Sequence, residues 1–390
     1  MASGKNKVNI KKEKQKATVK AYLRKLRIPI AVLLVIGIVA VYYAAIGKVR
    51  RSNTADTFNA IPKTFGESAG YPYSEDVLAL DKLMLIGDKP LVVSTTGITV
   101  LSQNAAHLQD FHVDWADTRV TSFNGRALVY SNTACKAYLI SRTKKLENFE
   151  EKNPIKVACV GKDGTVAYSF ATENTQSVVK VFTPRGKLDF EWHCAKEYIS
   201  SLALSDTGKK LVISAVGVNN AELYSRIILF RTSKKEADFD IKLPGTTVLR
   251  VFCSPAGKIV AVGDNRTVIF NSRGEKLTEI TYADDALSYI DSDLKGSVLL
   301  CYKEFGGSKI KVVTVPPSGK NLKEFELDYM PDSADIKGSR LAFVLGNEVI
   351  MYSTSGEKRS NYLCSGDVGT VLISNSGIYT LENGSVCRYR

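Results

Sequence analysis

PAGKIVAVG, residues 255–263, is a short turn carrying Gly257, followed by an apolar strand. The same pattern returns along the chain as FNGRALVYS (123–131), KDGTVAYSF (162–170), DTGKKLVIS (206–214), LKGSVLLCY (294–302), IKGSRLAFV (336–344) and SNSGIYTLE (374–382). The aligned glycines are Gly125, Gly164, Gly208, Gly257, Gly296, Gly338 and Gly377, and they are 39, 44, 49, 39, 42 and 39 residues apart. A period near 40 residues marks a repeat of one supersecondary unit. An earlier unit, IGDKPLVVS at 86–94, lacks the aligned glycine. Glycine suits such turns because they need a positive φ.

A second mark follows later in each unit. FTPRGKL (182–188), FNSRGEKL (270–277), VPPSGKNL (315–322) and YSTSGEK (352–358) each place a glycine turn after an apolar strand. The unit therefore reads as four short strands joined by tight turns, with no stretch of helical period. A four-stranded sheet with two apolar faces must be covered on both sides, and radial stacking does this. The expected fold is an all-β propeller of four-stranded antiparallel blades over residues 71–390. Eight blades fit that length, and seven is the alternative because the first two units are the least regular. The last unit, ending VCRYR, looks one strand short, and the stretch 76–80 is expected to supply that strand.

Ahead of the repeats lies IPIAVLLVIGIVAVYYAAIG at 28–47, which holds no charged residue. Twenty residues rising about 1.5 Å each span about 30 Å, the depth of the hydrocarbon layer. The expected organisation is a basic cytoplasmic tail (1–27), a transmembrane helix (28–47), a polar stalk (48–70) and the propeller. Arg27, Tyr42, Tyr43 and Lys48 are expected at the membrane interfaces. Ten Lys or Arg precede the run and only three follow it closely, so the N-terminus is expected in the cytoplasm and the large domain outside. A cleaved signal peptide is the competing reading, and the length of the apolar run speaks against it.

The net charge of +13 belongs to this anchor: residues 1–27 carry +9 and Lys48, Arg50 and Arg51 carry +3, which leaves +1 for residues 52–390. A nucleic-acid partner is not expected, since the folded part has no basic excess. The seven cysteines are never closer than 23 residues, so no zinc spacing exists. They are expected to be small buried hydrophobes, with disulfides an option outside the cell.

Side chains that carry chemistry are few. His107, His112 and His193 form no metal pair by spacing. Asp284, Asp285, Asp291 and Asp293 lack calcium-loop spacing and are expected to be solvated loop carboxylates. Phe111, Trp115, Trp192 and Tyr198 fall near blade ends, where they wedge between blades or line a binding face. No hydrolase, zincin or P-loop motif is present, so no catalytic, metal or cofactor residue is assigned.

The basic tail, the single span, the stalk ending Gly70-Tyr71-Pro72 and the glycine turns together resemble a family of mostly Gram-positive bacterial membrane proteins with a quinoprotein- or WD40-like ectodomain. That family has no assigned activity, so the resemblance implies no catalytic residue. The repeated Gly-His and Trp-Asp pair of true WD40 repeats is missing, and two tryptophans are too few for a quinone site. The expected role is a non-enzymatic scaffold held in the bilayer by residues 28–47, binding a protein or cell-wall partner. The alternative is an extracytoplasmic glycan hydrolase or lyase with its site on one propeller face.

Overall fold

A computed structural model describes Asp56 and residues 70–75, 80–95, 97–282, 287–303 and 307–390. The tail, the apolar run 28–47, Arg27, Tyr42, Tyr43, Lys48, most of the stalk, and Asp284 and Asp285 lie outside the described residues. Among the described residues, no helix is long and apolar enough to cross a membrane.

The described chain folds into eight sheets in sequence order, seven of four strands and the last of three. These blades cover residues 80–112, 118–150, 155–194, 198–244, 248–281, 287–327, 333–363 and 368–389. Within each, the strands run as a meander, A to D in blades 1 to 7 and A to C in blade 8, every strand antiparallel to the one before it. The count is eight, not the seven held as an alternative.

Burial follows strand position. Strand B of blade 2, Arg126–Ser131, is buried at every residue, whereas strand D of blade 7, Lys358–Leu363, alternates between exposed and half-buried. Successive side chains point to opposite faces. Ala127 and Val129 therefore join a core shared with blade 1, while Leu128 and Tyr130 join one shared with blade 3. The same division recurs around the molecule, and the described residues form eight apolar clusters, one at each interface between neighbouring blades. Each fully buried aliphatic side chain contributes about 1.5–3 kcal/mol.

Strand A lies innermost. Leu80–Ile86 of blade 1 touches Thr118–Phe123 of blade 2, and strand A meets strand A in the same way between the other neighbouring blades except 5 and 6, which join through their shared core. Val368–Ser374 of blade 8 returns to Leu80–Ile86, which closes the ring. The closing cluster combines Leu83, Val92 and Leu101 of blade 1 with Tyr379, Leu381 and Val386 of blade 8.

The outer position of blade 8 corrects one expectation. Of the stretch 76–80 expected there, Leu80 begins strand A of blade 1 and residues 76–79 lie outside the described residues. Tyr73 pairs with Val386 instead, through backbone bonds of 2.8 and 2.7 Å in the two directions. The rings of Tyr71 and Tyr73 pack on the closing cluster, and Tyr71 Oη donates to Ser102 O at 2.8 Å.

The repeated glycines occupy more than one turn position. In blades 3 to 6 the amide of Gly164, Gly208, Gly257 or Gly296 donates to the residue three before it. In blades 2 and 7 the loop has two residues, and Gly125 is the second of them while Gly338 is the first. Gly377 already belongs to strand B of blade 8, paired with Ser374. Gly296 is tightly constrained: its φ is +82°, and a Cβ there would lie 2.8 Å from Ser254 Cα of the neighbouring blade.

Candidate functional site

The longest interval between repeat glycines, 49 residues, falls in blade 4. There strands B and C, Lys210–Asn219 and Glu222–Arg231, run ten residues each. They are joined by a turn in which Asn220 and Ala221 both have positive φ, the turn geometry that matches strand twist in a hairpin. The two faces of this long hairpin differ.

One face, turned toward blade 3, is braced. Glu197, 6% exposed, accepts from Tyr224 Oη at 3.0 Å, from Arg226 Nη1 at 2.9 Å and from Cys194 Sγ at 2.9 Å. Arg226 continues to Asp240 on strand D, and the Lys242 ammonium sits 3.7 Å over the Tyr224 ring. Burial works against ionisation of Glu197, but the hydrogen bonds from Cys194, Arg226 and Tyr224 outweigh it and hold the carboxyl below its ordinary range. Gly217 leaves room for this network, since a Cβ would lie 2.7 Å from Tyr224 Oη and 2.8 Å from Glu197 Cγ.

The other face, turned toward blade 5, is bare. Val218 and Leu223 are cross-strand partners near the tip and are 65% and 50% exposed. At the same end of the blades, Tyr198 opens strand A of blade 4 at 61% exposed, and Leu249 is second in strand A of blade 5 at 44%. Below them Ser225 Oγ accepts from Val248 N at 2.8 Å and Ser200 Oγ donates to Val248 O at 2.8 Å, fixing blade 4 to blade 5. The arrangement offers a held apolar rim of one aromatic and three aliphatic side chains.

The inner strands hold a second constellation. Strand A side chains reach the backbone of the next blade: Ser201 Oγ accepts from Val251 N, Ser333 Oγ from Val371 N, Asp291 Oδ2 from Ile336 N at 3.2 Å, and Asp335 Oδ2 from Ile373 N. Asp291 and Asp335 are half-buried and share a hydrogen bond. Burial raises both carboxyls, and in Asp335 the negative charge of Asp291 adds to it, so the pair holds a proton to higher pH than a free aspartate does. This overturns the expectation of solvated loop carboxylates for Asp291 and Asp293. Asp291 lies within a strand, and Asp293 is 7% exposed with its oxygens accepting from Lys295 N, Ser297 N and Gly338 N. The signal missed in the sequence was position: Asp291 and Asp335 each precede the turn glycine of their unit, by five and three residues.

The remaining candidates divide. Phe111 and Trp115 pack against the core between blades 1 and 2 beside Tyr138, and Trp192 packs against Phe230. Tyr198 alone of the four is exposed. His107 contacts Asp110 and His193 contacts Glu191, both at the surface. All seven cysteines are free thiols, four of them buried. No group of three metal-ligating side chains occurs among the described residues.

The pattern of the DUF5711 family, described as a family of unknown function, matches residues 73–386. The chain belongs to this family. Its limits coincide with the Tyr73–Val386 bridge that completes blade 8. No curated protein matches the chain. Among solved structures the family fold is similar to the C-terminal WD40 domain of Sif2, at 11% identity and TM-score 0.58 over 82% of this chain and 99% of that one. BamB from Moraxella catarrhalis is similar at 11% identity and TM-score 0.52, over 82% of this chain and 100% of that one. The computationally designed protein Ika8 gives 10% identity and TM-score 0.55, over 82% and 98%. At such identities the likeness shows the propeller fold alone.

Proposed function

We propose that this chain is a membrane-anchored, extracytoplasmic propeller acting as a non-enzymatic scaffold for a protein of the cell envelope. The observation that carries the binding role is the blade 4 hairpin, braced through Glu197 on one face and bare at Val218 and Leu223 on the other. Apolar side chains left in water at one rim, beside an exposed tyrosine, are the composition of a protein-binding surface. Immobilising the hairpin beforehand lowers the entropy lost on binding. The uncharged run 28–47 and its basic N-terminal flank support the anchor and its orientation. The competing reading, a glycan hydrolase or lyase, would draw on Asp291 and Asp335. Their oxygens accept backbone N–H groups from the next blades, which favours the scaffold.

The test is in-cell photocrosslinking with a photoreactive residue at Leu223. The expected result is one reproducible adduct with an envelope protein, lost in Val218→Asp while the thermal stability of the ring is kept. The absence of any adduct from Leu223, Tyr198 and Leu249 alike would contradict the proposal.

A further inference from the structure

Asp56 is 1% exposed, although it lies fourteen residues before Gly70, where the continuously described chain resumes. Its carboxylate sits on the turn between strands C and D of blade 2. Oδ1 accepts from Ser141 Oγ at 2.8 Å and from Thr143 Oγ1 at 2.6 Å. Oδ2 accepts from Arg142 Nε at 2.9 Å and lies 4.0 Å from Arg126 Nη1. The Arg126 side chain is 3% exposed and Ser141 is fully buried. Two hydroxyls and the Arg142 guanidinium therefore donate to one carboxylate, while Arg126, whose Nη1 donates to Gly125 O at 2.8 Å, adds its charge from 4.0 Å, an arrangement suited to a carboxylate. Burial opposes ionisation of Asp56, but the bonds from Thr143, Arg142 and Ser141 prevail and hold it below the ordinary aspartate range.

We propose that Arg126, Ser141, Arg142 and Thr143 form a carboxylate-binding pocket on blade 2 whose resident ligand is the chain's own Asp56. The pocket clasps the segment that precedes the propeller, and it takes a small free carboxylate when Asp56 is removed. A diffusible carboxylate can take the place of Asp56 because the donors belong to the ring: Arg126 begins strand B of blade 2, and the turn at Ser141–Lys144 is closed by a 2.9 Å backbone bond. The proposal does not depend on the membrane reading.

The test uses the full-length chain in detergent. Asp56→Ala is expected to lower Tm by roughly 5 °C or more. Sodium acetate is expected to restore part of that loss in Asp56→Ala, relative to sodium chloride at equal ionic strength. It should leave the wild type unchanged and have no effect on Asp56→Ala/Arg142→Met. Phenylglyoxal labelling read by mass spectrometry gives a second measure that survives poor folding of the alanine variant. Arg142 should be protected in the wild type and labelled in Asp56→Asn. Acetate that stabilises wild type and Asp56→Ala alike, or that acts on neither, would overturn the pocket, as would equal labelling of Arg142 in wild type and Asp56→Asn.

Discussion

The Asp291–Asp335 pair joins blades 6, 7 and 8, because each carboxyl accepts an N–H from the blade that follows it. Its proton makes that geometry sensitive to pH. An aspartate in the unfolded chain ionises near pH 3.9, while the folded pair keeps a proton above this. The folded state then binds more protons than the unfolded one, so the pair's contribution to stability falls as pH rises above about 4, until the folded pair ionises. In Asp335→Asn the amide oxygen can accept from Ile373 N and the amide nitrogen can donate to Asp291, as the protonated acid does. Urea unfolding between pH 5 and 9 should find this variant at least as stable as wild type at the upper end, with a flatter pH profile. Asp335→Ala leaves the Ile373 amide without its acceptor and should cost about 1–3 kcal/mol at every pH. A wild type whose stability climbs with pH across this range, unaltered in Asp335→Asn, would contradict the shared proton. At Gly296, alanine meets both a positive φ and the Ser254 backbone, so Gly296→Ala should lose on the order of 1–3 kcal/mol in the same experiment.

At the scale of elements, the closing segment is the one the sequence placed least well. Turn glycines and apolar runs identify strands A to C of each blade, because those signals lie within one unit. The outer strand of blade 8 depends on a partner over three hundred residues away, and a single bridge at Tyr73 carries no local pattern. Tyr73→Pro removes the amide that donates to Val386 O and the ring that packs on the closing cluster. It should destabilise the domain by about 1–3 kcal/mol through the unpaired Val386 carbonyl, seen as a lower urea midpoint; an unchanged midpoint would mean the bridge contributes nothing. The blade 4 hairpin was half legible. The 49-residue interval shows where extra chain is inserted. Which face is braced depends on Glu197, in the loop before strand A, meeting Tyr224 and Arg226 of strand C, a contact that no spacing reveals. The acid pair was hidden for the same reason, since its members are 44 residues apart on neighbouring blades.

At the scale of the molecule, the period near 40 residues and the ring are one statement, since each interblade core needs both neighbours. Closure carries the acidic groups with it. Asp88 of blade 1 binds Lys337 of blade 7 and Asn375 of blade 8, and Glu382 of blade 8 binds Ser365, Thr380 and Tyr389. Burial opposes ionisation of Asp56, Asp88, Glu197 and Glu382, and hydrogen bonds outweigh it in each, so all four stay ionised below their ordinary range. Their stabilisation is complete above the unfolded values near 4 and is lost as pH falls through the lower folded values. Circular dichroism during acid titration should therefore show the ring holding to about pH 4 and unfolding below it; a ring equally stable at pH 2 would refute these assignments. The propeller class and the repeat were legible in the sequence, whereas the proposed anchor at 28–47 lies outside the described residues and its proposed orientation rests on charge alone. It is measured most directly by paired fusions after Arg390, one to a phosphatase active only outside the cytoplasm and one to a protein that fluoresces only inside it. The account predicts phosphatase activity without fluorescence, and fluorescence without phosphatase activity would contradict it.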